Sequence, residues 1–317
     1  MGLSELTTSD IEAFNDELEA SSFVFEYTMG GEAGGQPKEN QDCTFASCLE
    51  DGTQLIGVFD GHGPAGAVVS QYVAELLEIK LGALVQEAAE PFSSRAFHRR
   101  IQSVFEETDL SLKEGLPEEV DLHIDGATGC VAIRRGRDLV VAHVGDSRCI
   151  IGNTEGRVRR ITVDHVPAAP KERRRIEKSG GECRALEGEP AIEESGKGRV
   201  FVKDQFYPGL GVSRAFGDRV AKSVGVSATP DVSYRKLGKK ELALVIATDG
   251  VWDVVSEQEA LDICNRHAST KDAILASGDL VDTARQYWHY YQDEFVAAGG
   301  DRADYSIDDI SAITLFF

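Results

Sequence analysis

The chain is short of basic residues. Against 54 Asp and Glu it carries 33 Lys and Arg, leaving a net charge of −21. That deficit argues against a general nucleic-acid or anionic-membrane binder, because a phosphate backbone has to be met by clustered Lys and Arg. No CxxC spacing occurs among Cys43, Cys48, Cys130, Cys149, Cys183 and Cys264, and several of these lie in apolar, strand-like runs. They read as reduced, buried thiols. No apolar stretch is long enough to span a bilayer, and no secretory signal is read. The expectation is therefore a cytoplasmic or nuclear protein in a reducing compartment, with no stable membrane insertion. Met1-Gly2 would open a myristoylation signal, but Leu6 stands where that signal prefers Ser or Thr. Internal repeats and low-complexity tracts are missing as well.

What is present is ordinary in amount. With 317 residues, 42% of them hydrophobic and 27% charged, the chain can form one large sandwich with insertions. Bound divalent cations could offset part of the excess acid, with the remainder forming solvated surface.

Residues 1–22 form an acidic leader in which Ser9 and Asp10 can cap a short helix bearing Ile11, Phe14 and Leu18. Strand-like segments follow at Ser22–Met29, Cys43–Leu49 and Leu55–Asp60, the last two joined by the hairpin signal Asp51-Gly52. Two helical patterns come next. Pro64–Ala89 spaces Val69, Tyr72, Val73, Leu76, Lys80 and Leu84 to one side, and Ser93–Leu112 carries Phe97, Ile101, Val104 and Phe105. Strands resume at 129–134, 139–144 and 149–152. A polar stretch at about 164–211 reads as a flap insertion beside a site, with one helical piece at 171–179. After the apolar run Leu242–Ala247, helices are predicted at 256–267 and 278–298. The second is expected to bury a stripe of Val281, Ala284, Trp288, Tyr291 and Phe295. This order of elements is α+β, not the strict alternation of a doubly wound parallel sheet.

Three carboxylates stand where strands stop or start. Asp60 ends the run Leu55–Phe59 and precedes Gly61-His62-Gly63. Asp249 follows Leu242–Ala247 and Thr248, and Asp308-Asp309 precede Ile310–Phe317. Acids delivered to strand ends from three distant parts of a chain point to a hard-cation site, because without a cation they would repel and raise one another's pKa.

The motifs and their order carry a resemblance. Glu39-Asn40-Gln41-Asp42 precedes Asp60-Gly61-His62-Gly63. Then come Gly145-Asp146-Ser147-Arg148, Asp164-His165, Gly211-Val212-Ser213-Arg214-Ala215-Phe216-Gly217-Asp218, Ala228-Thr229-Pro230-Asp231, Thr248-Asp249-Gly250-Val251-Trp252-Asp253 and Asp308-Asp309-Ile310-Ser311. From about Phe23 to Phe317 the chain resembles the catalytic domain of the protein phosphatase 2C family, metal-dependent serine/threonine phosphatases. The resemblance implies two antiparallel β-sheets packed face to face and flanked by helices on both sides, an α-β-β-α sandwich. It implies two Mg²⁺ or Mn²⁺ ions, with a third, weaker site possible. By position, Asp60 would span both metals, Gly61 would offer its carbonyl, Asp249 and Asp308 would hold one metal, and Asp42 would act on the other through water. Asp146 matches a family acid near the metals. The activity implied is hydrolysis of phosphoserine and phosphothreonine in proteins, by in-line attack of a hydroxide held between the metals, with His62 as general acid. Phosphoprotein substrates are the partners expected of a monomer.

Two positions depart from the family pattern. Where many relatives place a phosphate-clamping Arg, this chain reads Gln36-Pro37-Lys38, so Lys38 either binds the substrate phosphate as a point charge or is a surface turn residue. Asp309 stands where many relatives have Asn, with little effect expected on the metals. Arg214 and Asp218 read as an ion pair bracing the flap, and Asp253 as a support of the metal ligands or a helix cap. His143, His165 and His267 read as satisfied structural histidines, and Lys171–Arg175 as a solvated helix face. The alternatives to a phosphoprotein phosphatase are a silent, partner-binding relative and a hydrolase of small phosphoesters.

Overall fold

The computed structural model describes residues 24–186, 191–192 and 196–317. The expected leader helix at 9–18 lies outside the described residues.

Two antiparallel sheets form the centre. One runs Val24–Met29, Ile310–Phe316, Glu241–Ala247, Arg148–Asn153, Val158–Arg160 in spatial order. The other is built around the Gln54–His62 strand, which pairs with Asp42–Cys48, with Gly126–Ala127 and with Gly129–Arg135. Beyond Gly129–Arg135 lie Asp138–Val144 and Asp231–Lys236. The run Leu55–Phe59 is apolar on both faces because both faces are buried. Ile56 and Val58 meet Ile246, Ile313 and Leu315 between the sheets, while Leu55 and Phe59 face outward against a helical layer. Gly57 lies on that same strand, where a Cβ would sit 2.8 Å from the Phe45 ring and 2.9 Å from that of Phe59.

Helices Gly66–Glu87 and Arg95–Gly115 cover the second sheet, and Glu257–Arg266 with Ala273–Ala297 cover the first. The α-β-β-α sandwich and the α+β class are therefore as read. Ser94 caps the Arg95 helix by accepting from Phe97 N at 3.0 Å, and Asp272 caps the Ala273 helix by accepting from Leu275 N at 3.0 Å. That second cap starts the helix five residues before the predicted Gly278.

Two predicted faces need correction. In the Gly66 helix the buried stripe is Val69, Val73, Leu77, Leu81 and Leu84, so Leu77 and Leu81 take the core positions assigned to Leu76 and Lys80. In the Ala273 helix, Val281 and Ala284 are buried but Tyr291 and Phe295 are 44% and 37% exposed. The last turns meet the segment that follows the helix and not a sheet: Gln292 is fully buried, and the Phe295 ring lies 5.4 Å from that of Tyr305.

Within 164–211 lie a helix, Pro170–Lys178, and a three-stranded sheet of Gly181–Arg184, Arg199–Val202 and Pro208–Leu210. They share a small core of Ile176, Cys183, Ile192, Val200 and Val224. Among the cysteines, Cys130, Cys149, Cys183 and Cys264 are buried, Cys43 is partly buried and Cys48 is exposed; all six are free thiols.

Candidate metal and phosphate site

The site forms where the two sheets end together. Antiparallel register sets Asp42 directly opposite Asp60 on neighbouring strands. The central strand runs two residues past Asp60, because Gly61 and His62 pair with Ala127 and Gly126. Gly61 is held to glycine by crowding: a Cβ there would meet the Gly66 backbone and lie 2.6 Å from Gln41 O. Asp249 opens a one-turn helix, Asp249–Trp252, just after the Glu241–Ala247 strand. Trp252 Nε1 donates to Ala247 O at 2.9 Å and Trp288 Nε1 to Gly250 O at 2.7 Å, so two indoles fix this turn. Asp146 lies in the tight turn between the strands 138–144 and 148–153, where Gly145 has φ +92°.

Hydroxyls stitch the strand ends across the sandwich. Thr248 Oγ1 donates to Asp42 Oδ2 at 2.9 Å and accepts from Ser311 N at 3.1 Å. Thr128 Oγ1 accepts from Asp60 N at 3.3 Å and lies 2.7 Å from Ser147 Oγ, beside Asp146. These small side chains hold the acids of one sheet against those of the other. The quoted motifs contain Thr248 and Ser147, but nothing in their spacing marks them as partners.

The result is a concentration of negative charge. One carboxylate oxygen each from Asp60, Asp146 and Asp249 lies within 4.8 Å of the others. Asp249 Oδ1 and Asp42 Oδ1 are buried without any hydrogen-bond partner. Burial pushes the Asp42 carboxyl up to about 7, helped by Asp308 and Asp309 against the Ser311 and Thr248 hydroxyls. Burial also takes Asp146 up to about 7, with Asp164 and Asp253 adding repulsion. Asp60 and Asp249 are raised well above the ordinary range, by burial first and then by the neighbouring carboxylates. A site of oxygen donors alone, with buried oxygens lacking partners and acids repelling one another, fits a hard divalent cation and not zinc.

Asp308 enters differently. Its charge acts on Asp42, Asp60 and Asp249, yet it is not in the tight trio, and its Oδ1 lies 3.2 Å from Lys38 Nζ. Lys38 also lies 3.2 Å from Asp309 Oδ2, so it faces the site. Its pKa is raised because the two carboxylates outweigh burial, which acts to lower it. Asp309 does more than the sequence implied: it is buried, accepts from Gly31 N at 2.6 Å and Gln41 N at 3.0 Å, and so ties the Lys38 loop to the last strand.

His62 Nε2 lies 2.7 Å from Asp218 Oδ2. Burial acts to depress the imidazole pKa, but Asp218 overrides it and the net shift is upward. Arg214 and Asp218 therefore do not pair with each other. Arg214 instead binds Glu172 through Nε and Nη2 at 3.1 and 2.8 Å, and Asp231 at 2.8 Å. Asp253 does not cap the following helix, which Ser256 caps; it closes the Asp249–Trp252 turn and takes Lys197 Nζ at 2.9 and 2.7 Å. Lys171–Arg175 is only partly a solvated face: Glu172 is buried, and Arg175 donates to Gly225 O and Ser213 O at 2.7 and 2.6 Å. His143 Nε2 lies 2.9 Å from Val163 O, His267 Nε2 2.9 Å from Asp279, and His165 Nε2 3.4 Å from Asp231 Oδ2. The His165 ring also stacks on His143 at 4.3 Å between centroids.

Comparisons with known proteins agree with this architecture. The protein phosphatase 2C family profile matches residues 30–289. Probable protein phosphatase 2C 34 of Arabidopsis thaliana is 33% identical over 299 residues, covering 89% of this chain and 78% of its own length. Probable protein phosphatase 2C 64 of Oryza sativa subsp. japonica is 34% identical over 244 residues, covering 75% of this chain. The chain spans 55% of the length of that rice protein. Among solved structures, serine-threonine phosphatase 2C from Toxoplasma gondii superposes with a TM-score of 0.73 at 23% identity, covering 94% of this chain and 95% of that one. No described helix is long and apolar enough to cross a membrane.

Proposed function

Since the chain belongs to the protein phosphatase 2C family, we propose that it is a metal-dependent hydrolase of phosphoserine and phosphothreonine in proteins. The observation that carries this reading is the trio of Asp60, Asp146 and Asp249 oxygens within 4.8 Å of one another, with Asp249 Oδ1 lacking any partner. Asp60, Asp249 and Asp146 would hold Mg²⁺ or Mn²⁺, with Asp308, the Gly61 carbonyl and Asp42 completing a two-ion site. When bound, such ions lower the pKa of a shared water and neutralise phosphoryl oxygens.

The remaining work falls to the chain. Lys38, facing the site beside Asp308 and Asp309, would hold a substrate phosphate oxygen as a point charge. His62 would give a proton to the departing serine or threonine oxygen, which leaves poorly as an alkoxide. Asp42, fixed by Thr248 Oγ1, keeps one buried oxygen free for a water or a water-bound ion. The buried hydroxyl links of Thr128 and Thr248 would hold these groups in place without reorganisation during turnover.

Phosphate release from a phosphothreonine peptide tests the reading, measured with Mn²⁺, with Mg²⁺ and with excess EDTA, beside an Asp60→Asn control. Release should need metal and vanish in the control. A folded, metal-loaded wild type that releases none would instead make the chain a silent, partner-binding relative.

A further inference from the structure

We propose that Asp218 is the positioning residue of the proton donor: it ties His62 by Nε2 and so leaves Nδ1 as the nitrogen that serves the leaving group. This inference rests on the phosphatase reading above and extends it to a residue outside the metal-binding acids. Asp218 is 156 residues from His62 in sequence, and its Oδ2 lies 2.7 Å from His62 Nε2. The carboxylate is buried, while the His62 side chain is 26% exposed. Two further acids act on the ring: Asp146, which belongs to the trio of site carboxylates, and Asp125, which is already engaged by backbone, its Oδ1 accepting from Ala65 N at 3.0 Å and its Oδ2 from Asp121 N at 2.9 Å. Among the described residues Asp218 alone hydrogen-bonds the imidazole, and Nδ1 has no protein partner.

The surroundings are built for this pair. Asp218 adopts φ +49°, a left-handed conformation that a non-glycine residue enters at a cost. It is held there by Asp218 N donating to Asp125 O at 3.1 Å, Arg219 N to Leu122 O at 2.8 Å, and Gly217 N to Asp109 Oδ1 at 2.8 Å. Gly126 faces the bond itself. A Cβ on Gly126 would collide with Asp218 Oδ2 and stand 2.6 Å from His62 Nε2. The Gly126–Ala127 strand pairs with His62 on one side and with Phe216–Gly217 on the other, which brings the two partners together.

A carboxylate only accepts, so it requires a hydrogen on Nε2. The second hydrogen of the imidazolium then sits on Nδ1. In the step proposed, that Nδ1 proton passes to the serine or threonine oxygen as the bond from phosphorus to that oxygen breaks and the bond from phosphorus to the attacking water oxygen forms. The ring is left neutral with its hydrogen on Nε2, still donated to Asp218, and solvent water returns a proton to Nδ1.

The test compares two substrates in the full chain with Mn²⁺: a phosphothreonine peptide, and p-nitrophenyl phosphate, whose leaving group needs no proton. General acids contribute roughly 10²–10⁴-fold, so His62→Ala should lower kcat on the peptide by about 100-fold, and Asp218→Asn by about 10-fold or more at near-constant KM. Losses on p-nitrophenyl phosphate should be at least several-fold smaller, and Asp218→Asn added to His62→Ala should cost nothing further. Equal losses on both substrates, or a further loss in the double variant, would overturn the proposal while leaving the phosphatase reading standing. Inactivity of the wild type on both substrates would remove that reading and the proposal with it. A readout independent of variant folding is ¹⁵N NMR of the wild-type ring. Its neutral form should carry the hydrogen on Nε2, and a hydrogen on Nδ1 would overturn the assignment.

Discussion

Lys38 Nζ lies 3.2 Å from Asp308 Oδ1 and holds the same distance to Asp309 Oδ2. One ammonium thus links the loop before Asp42 to the residues that open the final strand. Asp309 is also fixed by two backbone N–H groups, whereas Asp308 is 41% exposed at its side chain. A substrate phosphate can compete for Lys38 more readily than for a buried cation.

Lys38→Ala is expected to raise KM for a phosphopeptide about 10-fold, the worth of one charge-assisted hydrogen bond, while kcat changes much less. Steady-state kinetics check this. The same variant should need less Mn²⁺ for half-maximal activity, because a positive charge has left Asp308. An unchanged KM would assign the phosphate to another group.

The acids that make the site also burden the metal-free fold. Asp249→Asn removes one of the mutually repelling, buried carboxylates and should stabilise metal-free protein by about 1–2 kcal/mol, roughly 2–5 °C in Tm. It should also abolish the upward shift that Mn²⁺ gives the wild type. Thermal melts in EDTA and in Mn²⁺ read both effects, and a destabilised metal-free variant would contradict the repulsion argument.

Glu172 gives a pH prediction. Burial opposes its ionisation, but Arg214 and Arg175 outweigh it and draw its pKa down to about 2 from 4.5. An acid whose folded value is depressed stabilises fully above its unfolded value and loses that contribution as pH falls through the folded one. Stability of the wild type should therefore decline between about pH 4.5 and pH 2, and Glu172→Gln should flatten that part of the profile in urea titrations. Arg214→Leu removes the two-pronged partner of Glu172 but leaves Arg175 at 2.7 Å, so it should cost about 1.5–3 kcal/mol, the worth of a charge-assisted hydrogen bond, and not the full penalty of an unpaired buried charge.

Two glycines should respond in opposite directions. A Cβ at Gly250 would run into the Asp309 carbonyl, so Gly250→Ala should separate the Asp249 turn from the last strand and weaken both Mn²⁺ binding and folding. Gly278 lies inside the Ala273–Ala297 helix with nothing within 4 Å of a Cβ. Gly278→Ala should stabilise by about 0.5–1 kcal/mol. Denaturant midpoints distinguish the two.

Much of the fold was legible because burial leaves a periodic trace. Leu55–Phe59 and Leu242–Ala247 read as buried strands and are strands covered on both faces, and Phe97, Ile101, Val104 and Phe105 are all buried. Where that trace was ambiguous the reading slipped: Leu76 and Leu77 are adjacent leucines, and only the sheet beneath decides that Leu77 faces it. Tyr291 and Phe295 kept the apolar spacing of their helix but stay partly exposed, Phe295 against the Tyr305 ring, and periodicity contains no information about what covers a face.

By itself the sequence determined the family and the acids that gather at the site. Acids beside glycines at the ends of apolar runs, in a fixed order, point to an oxygen-donor site that could hold a metal, whatever the exact register. Only the tertiary structure decided which partners those residues take. Asp218 binds His62 instead of Arg214, Arg214 binds Glu172, Lys38 faces Asp308 and Asp309, and Lys197 reaches Asp253. Side-chain charges carry no address along the chain. Antiparallel register and the close approach permitted at Gly126 set the distances, and distance determines which opposite charges meet.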